Sequence, residues 1–107
     1  MEFSAVVAEV VDGDTLKVFL SVGFDFYLSA KIRMWNVYAP EMSDAYGPEA
    51  KKIFSEIVEA GAVVRLVVKK KDKFGRWVSD VFFEEKNLNE KLREKFALFQ
   101  EIEKAEA

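Results

Sequence analysis

Between Leu16 and Met34 almost every second residue is apolar, and beyond Pro48 the apolar residues recur at steps of three and four. That change of period constrains the fold more than any other feature of the chain. Leu16, Val18, Leu20 and Val22 alternate with Lys17, Phe19 and Ser21, the signature of a strand with one face turned to a core. Phe26, Leu28, Ala30, Ile32 and Met34 repeat the pattern after Gly23, a residue suited to a turn or bulge. Val6–Val11 is β-rich and ends in Asp12-Gly13, a turn signal, so three close strands predict an antiparallel meander.

Helical spacing then takes over. Pro48 suits a first helical position and Gly61 the end, and Ala50, Ile53, Phe54, Ile57 and Val58 make one apolar stripe between them. Ala62–Val68 returns to β-rich sequence, Lys69–Arg76 reads as a basic loop, and Trp77–Phe83 as a fifth strand. Asn87 with Glu90 fits a capping pattern, and Leu88, Leu92, Phe96, Phe99 and Ile102 form a second stripe that, like the first, is read as core. The charged tail carries no further structural signal. The order βββ-α-ββ-α predicts an α+β, mainly β domain: a five-stranded barrel of the oligonucleotide-binding (OB-fold) type, with a helix after strand three and a C-terminal helix.

The 107 residues suffice for one domain, read as 1–107, and 50% of them are apolar, enough for a genuine core. Cysteine and histidine are both absent. Disulfides, thiolate or histidine metal sites and imidazole bases are thereby excluded, so acid–base chemistry falls to Asp, Glu, Lys, Tyr or Arg. A formal net charge of −3 gives no global attraction to nucleic acid, so any phosphate binding must be local. Met1–Ala5 lacks the basic region and apolar core of a signal peptide, and no apolar run approaches the ~20 residues of a membrane span. The expectation is a cytoplasmic monomer away from membranes.

Four polar pieces carry chemistry: Asp12-Gly13-Asp14-Thr15, Arg33, Ala39-Pro40-Glu41 and Phe74-Gly75-Arg76. They offer carboxylates for a metal and for a base, and two guanidinium groups. Guanidinium forks can hold the oxygens of a phosphodiester as negative charge builds up on them. Taken singly, each piece also reads as an ordinary turn, loop or solvated strand position. Lys69, Lys70, Lys71 and Lys73 form the densest basic cluster, serving equally as a solvated loop or a phosphate-binding patch.

Six segments together resemble the staphylococcal nuclease (thermonuclease-like) family over nearly the whole chain. They are Val11–Thr15, Ile32–Trp35, Ala39–Glu41, Tyr46–Lys51, Asp72–Arg76 and Leu88–Glu90, in the family's order. The resemblance implies a Ca²⁺-dependent nuclease on a five-stranded barrel, acting on DNA and RNA. It implies Asp14 as the first metal carboxylate, Ala39 as a ligand through its backbone carbonyl, Arg33 and Arg76 as phosphate-binding arginines, and Glu41 as general base. Asp12 then orders the turn or supports the ligand from behind. Lys73 matches a lysine that contacts a terminal phosphate, and Phe74 a nearby aromatic whose hydroxyl is missing here. The family's base-stacking tyrosines have no evident counterpart, Phe96 and Phe99 being read as core, and its final helix has none either.

Tyr38 is the departure. It stands where the family places a second metal carboxylate, and a phenol with a pKa near ~10 is neutral and a poorer ligand for a hard cation. Three outcomes stay open: Asp12, Asp14, carbonyls, water and substrate phosphate hold a weaker ion; Mg²⁺ or Mn²⁺ replaces Ca²⁺; or the barrel binds nucleic acid or protein without cleaving.

Overall fold

A computed structural model describes residues 1–106 of the chain. The strands are β1 (Glu2–Asp12), β2 (Thr15–Ser21), β3 (Tyr27–Met34), β4 (Val63–Lys71), β5 (Trp77–Phe83) and the short β6 (Lys86–Asn87); the helices are α1 (Gly47–Ile57) and α2 (Leu88–Glu106). β1, β2 and β3 form the expected antiparallel meander, and β4 and β5 continue the sheet on the other side of β1. A parallel pairing of β3 with β5 over Ile32–Met34 and Trp77–Ser79 closes the five strands into a barrel, with β6 added at the edge of β5. The architecture is the α+β, OB-like barrel that the change of period predicts.

The alternating residues fill the barrel. Leu16, Val18, Ile32, Met34, Leu66 and Val81 are fully or almost fully buried. Phe54 from α1 and Val58 just after it, and Leu88, Leu92, Phe96 and Phe99 from α2, cover the same core. Each such side chain contributes about 1.5–3 kcal/mol through the water it leaves. Phe99 stacks on Phe96 and on Tyr46 with ring centroids 5.8 and 5.2 Å apart, so both phenylalanines belong to the core. Among the described residues no helix is long and apolar enough to cross a membrane.

Four expectations are corrected. Lys69, Lys70 and Lys71 extend β4 instead of forming a loop, because Val78 and Trp77 of β5 supply pairing partners for Lys70 and Lys71. The connecting loop shrinks to Asp72–Arg76. The charged tail is helical to Glu106, since Glu, Lys and Ala are good helix formers. Ile102 is 39% exposed, because α2 outruns the core at that point. Finally, α1 ends on an extended Val58, and Gly61, with φ +92°, serves the turn into β4.

Candidate active site

Asp14 sits at the β1–β2 turn, where the Asp12 carboxylate accepts the Asp14 N–H at 3.0 Å and holds the turn in shape. Gly13 between them is buried, and a Cβ there would lie 2.6 Å from the Ala39 Cβ and 2.8 Å from the Ala50 Cβ. Only glycine lets the turn, the loop after β3 and α1 meet at this point. The Asp14 carbonyl accepts the Met34 N–H at 2.8 Å, which fixes the turn against the end of β3.

The Asp14 carboxylate is surrounded by donors. Thr15 Oγ1 donates to Oδ1 at 3.2 Å and the Ala39 N–H to Oδ2 at 3.2 Å; Arg33 Nη2 lies 3.4 Å from Oδ2. Burial, followed by the adjacent Asp12 carboxylate, nevertheless pushes the Asp14 carboxyl above the usual range, against the lowering effect of Arg33 and the Ala39 N–H. Ala39 therefore meets Asp14 through its amide. Among the described residues no three Asp or Glu side chains gather to hold a metal ion. Asp12 and Asp14 do meet, and a repelling carboxylate pair is what a partly hydrated divalent cation would relieve, with water completing its ligands.

Each arginine is aimed by a carboxylate. Arg33, outward-facing between buried Ile32 and Met34, donates from Nη1 to the Met34 carbonyl at 2.6 Å and faces Asp14 with Nη2. Arg76 donates from Nε to Asp72 Oδ2 at 2.7 Å. Asp72 Oδ1 also accepts the N–H groups of Phe74 and Arg76, both at 2.9 Å, and so shapes the β4–β5 turn. Burial works against the charged Asp72 carboxylate, but those amides and the Arg76 guanidinium outweigh it and hold it below the usual range. This positioning role went unread in the sequence, because an aspartate opening a turn looks the same whether it orders backbone alone or a side chain as well.

Glu41 belongs to a tight turn in which Asp44 N–H donates to the Glu41 carbonyl at 2.9 Å and the Asp44 carboxylate accepts the Glu41 N–H at 3.2 Å. Gly47 opens α1 against this turn, where any Cβ would collide with the Glu41 carbonyl. One cleft of about 500 Å³ gathers Asp12, Asp14, Arg33, Tyr38, Ala39, Pro40, Glu41, Met42 and Arg76. Tyr38 is 74% exposed at its rim, with the Arg33 guanidinium 5.8 Å from its ring. Lys73 and Phe74 lie outside the lining, on the neighbouring turn, with Lys73 Nζ 5.2 Å from the Phe74 ring and Arg76 5.4 Å from it. Lys69 is drawn off by Asp80 at 3.4 Å.

A sequence model of the family described as staphylococcal nuclease homologue matches residues 31–106, well over half of the chain. A Haemophilus influenzae protein described as an uncharacterized endonuclease is 37% identical over 83 residues, which cover 78% of this chain and 44% of that protein. The chain thus spans less than half the length of the curated relative it matches. The Asp12–Thr15 turn lies outside the family match, yet the fold carries Asp14 to the same cleft as Arg33, Glu41 and Arg76. The chain belongs to the staphylococcal nuclease homologue family.

Proposed function

We propose that the protein is a metal-dependent nuclease that hydrolyses phosphodiester bonds in DNA, RNA or both. The observation that carries the reading is the single cleft in which two oriented arginines, a carboxylate pair and Glu41 face the same space. A substrate phosphodiester enters with its non-bridging oxygens toward Arg33 and Arg76. Their N–H groups are aimed before the substrate arrives, so little reorganisation is needed as charge accumulates on those oxygens. Glu41 takes the proton of the attacking water; the P–O bond opposite the new one breaks, and the departing oxygen takes a proton from solvent. A carboxylate is a weak base, so the cationic groups must supply much of the barrier lowering. Asp12 and Asp14, with the Ala39 carbonyl and water, would hold a divalent ion such as Ca²⁺, Mg²⁺ or Mn²⁺. When bound, that ion adds positive charge at the phosphate and favours the ionised form of water.

The second reading is a non-catalytic domain that binds nucleic acid or protein; what favours it is the outward-lying phenol of Tyr38 and the absence, among the described residues, of three gathered metal-ligating side chains. The purified protein is incubated with single-stranded DNA and with RNA under Ca²⁺, Mg²⁺, Mn²⁺ or EDTA, beside Glu41→Gln. Cleavage that needs a metal and disappears in Glu41→Gln is expected. No cleavage under any metal would leave the binding reading in place, and cleavage gained by Tyr38→Asp would then identify the missing carboxylate as the cause.

A further inference from the structure

We infer that a second subsite, built on Trp35 and Lys70, takes the base and phosphate of a flanking nucleotide, so that the protein grips an extended single strand. The inference rests on the nuclease or nucleic-acid-binding reading of the cleft and names what continues out of it. A hollow of about 180 Å³ adjoins the cleft and shares Arg33, Tyr38 and Arg76 with it. Trp35 and Lys70 also line it, as does Asp72, whose carboxylate is taken up by Arg76. A chain bound across the two arginines and continuing into this hollow would meet the tryptophan.

Trp35 is a fixed platform. Its N–H donates to the Ser79 carbonyl at 2.9 Å, and its own carbonyl accepts from Asn89 Nδ2 at 3.0 Å and Arg93 Nη1 at 3.2 Å. The backbone is thus tied to β5 and α2 while the indole stays half-buried, outside the apolar core. Lys70 Nζ stands 5.6 Å from the indole ring centroid and makes no ion pair among the described residues. An aromatic face with a free cation above it suits a base and its phosphate: the base stacks on the ring while the ammonium moves to the phosphate. A duplex cannot use the platform, because its bases are stacked on each other.

The chain has two tryptophans, and they separate the signal. Trp77 also has a lysine over its ring, Lys71 Nζ at 5.0 Å, but alternation on β5 sends it to the other side from Val78, where it lines the apolar barrel mouth with Leu20, Leu28 and Leu66, apart from the two arginines. Trp77→Phe leaves Trp35 as the sole indole emitter, and Trp35→Phe leaves Trp77. Each variant is titrated in EDTA with a short oligothymidylate, and with the same strand annealed to oligodeoxyadenylate. The expected result is saturable quenching of Trp35 by the single strand, with little change for Trp77 or for the duplex. Trp35→Ala should weaken binding between about fivefold and a hundredfold, the range for one stacked base. Lys70→Gln should lower the salt slope of binding by about 0.7. Silence of Trp35, equal response of both tryptophans, or equal quenching by duplex would overturn the subsite. Cleavage is read separately on gels with metal present. Cleavage with a silent Trp35 removes the subsite and keeps the nuclease; a responsive Trp35 without cleavage keeps the subsite and removes the nuclease.

Discussion

Asp72 combines two tasks that a neutral residue could only partly share. One carboxylate oxygen collects the turn amides of Phe74 and Arg76, and the other draws the Arg76 guanidinium. Asparagine can still accept the amides but loses the charge, so Asp72→Asn should keep the fold and lower turnover ten- to a hundredfold, roughly the effect of misplacing a binding group. The pH dependence follows from its lowered folded-state pKa. A depressed carboxylate stabilises above its unfolded pKa of ~3.9, and that contribution is lost as pH falls through the folded value. The stability gap between the protein and Asp72→Asn, measured by urea unfolding, should be constant around neutrality and close as pH falls below ~4. Arg33 was legible as an outward strand position because Ile32 and Met34 flank it with buried side chains. Its partner Asp14 was legible only as a ligand candidate, since no local pattern says which cation a distant carboxylate will meet.

Asn89 joins α2 to the neighbouring β5 and to the distant segment after β3. Wholly buried at the start of α2, it accepts the Val81 N–H at 2.8 Å and donates to the carbonyls of Ser79 and Trp35, both at 3.0 Å. Helix α2 is thereby locked to β5 and to the segment that follows β3. Asn89→Ala would leave the buried Val81 amide without its acceptor and take one of two donors from each of the Ser79 and Trp35 carbonyls, and should cost about 1–3 kcal/mol in chemical denaturation. The elements themselves were readable wherever a rhythm was local: both alternating strands, both apolar stripes, and the Asn87 side chain that accepts the Glu90 N–H at 3.0 Å. Where pairing comes from a distant strand the local reading failed. Lys69–Lys71 look like loop because lysines are charged, and become strand because β5 lies beside them. The parallel β3–β5 contact, which closes the barrel, has no local signal at all.

The chain is acidic overall yet keeps Arg33, Arg76, Lys70 and Lys73 around one opening. Affinity for single-stranded nucleic acid should therefore depend on local rather than net charge. If three or four phosphates are contacted, log K should fall with log salt at a slope of about −2 to −3. A slope near zero in a salt titration would mean that the cluster is only solvated surface.

The closing contact between β3 and β5 spans only Ile32–Met34 against Trp77–Ser79, and Arg33 is its middle residue. Such a short seam should be the first part of the barrel to breathe. Amide hydrogens along it should exchange with solvent before those of the long β1–β2 ladder. Arg76 precedes the seam on β5, and the Asp14 carbonyl bonds to its last residue on β3. Every opening of the seam therefore scatters the cleft while most of the molecule is still folded. On the nuclease reading, heat or mild urea should then abolish turnover ahead of the loss of circular dichroism, making cleavage the more sensitive gauge of this barrel's integrity.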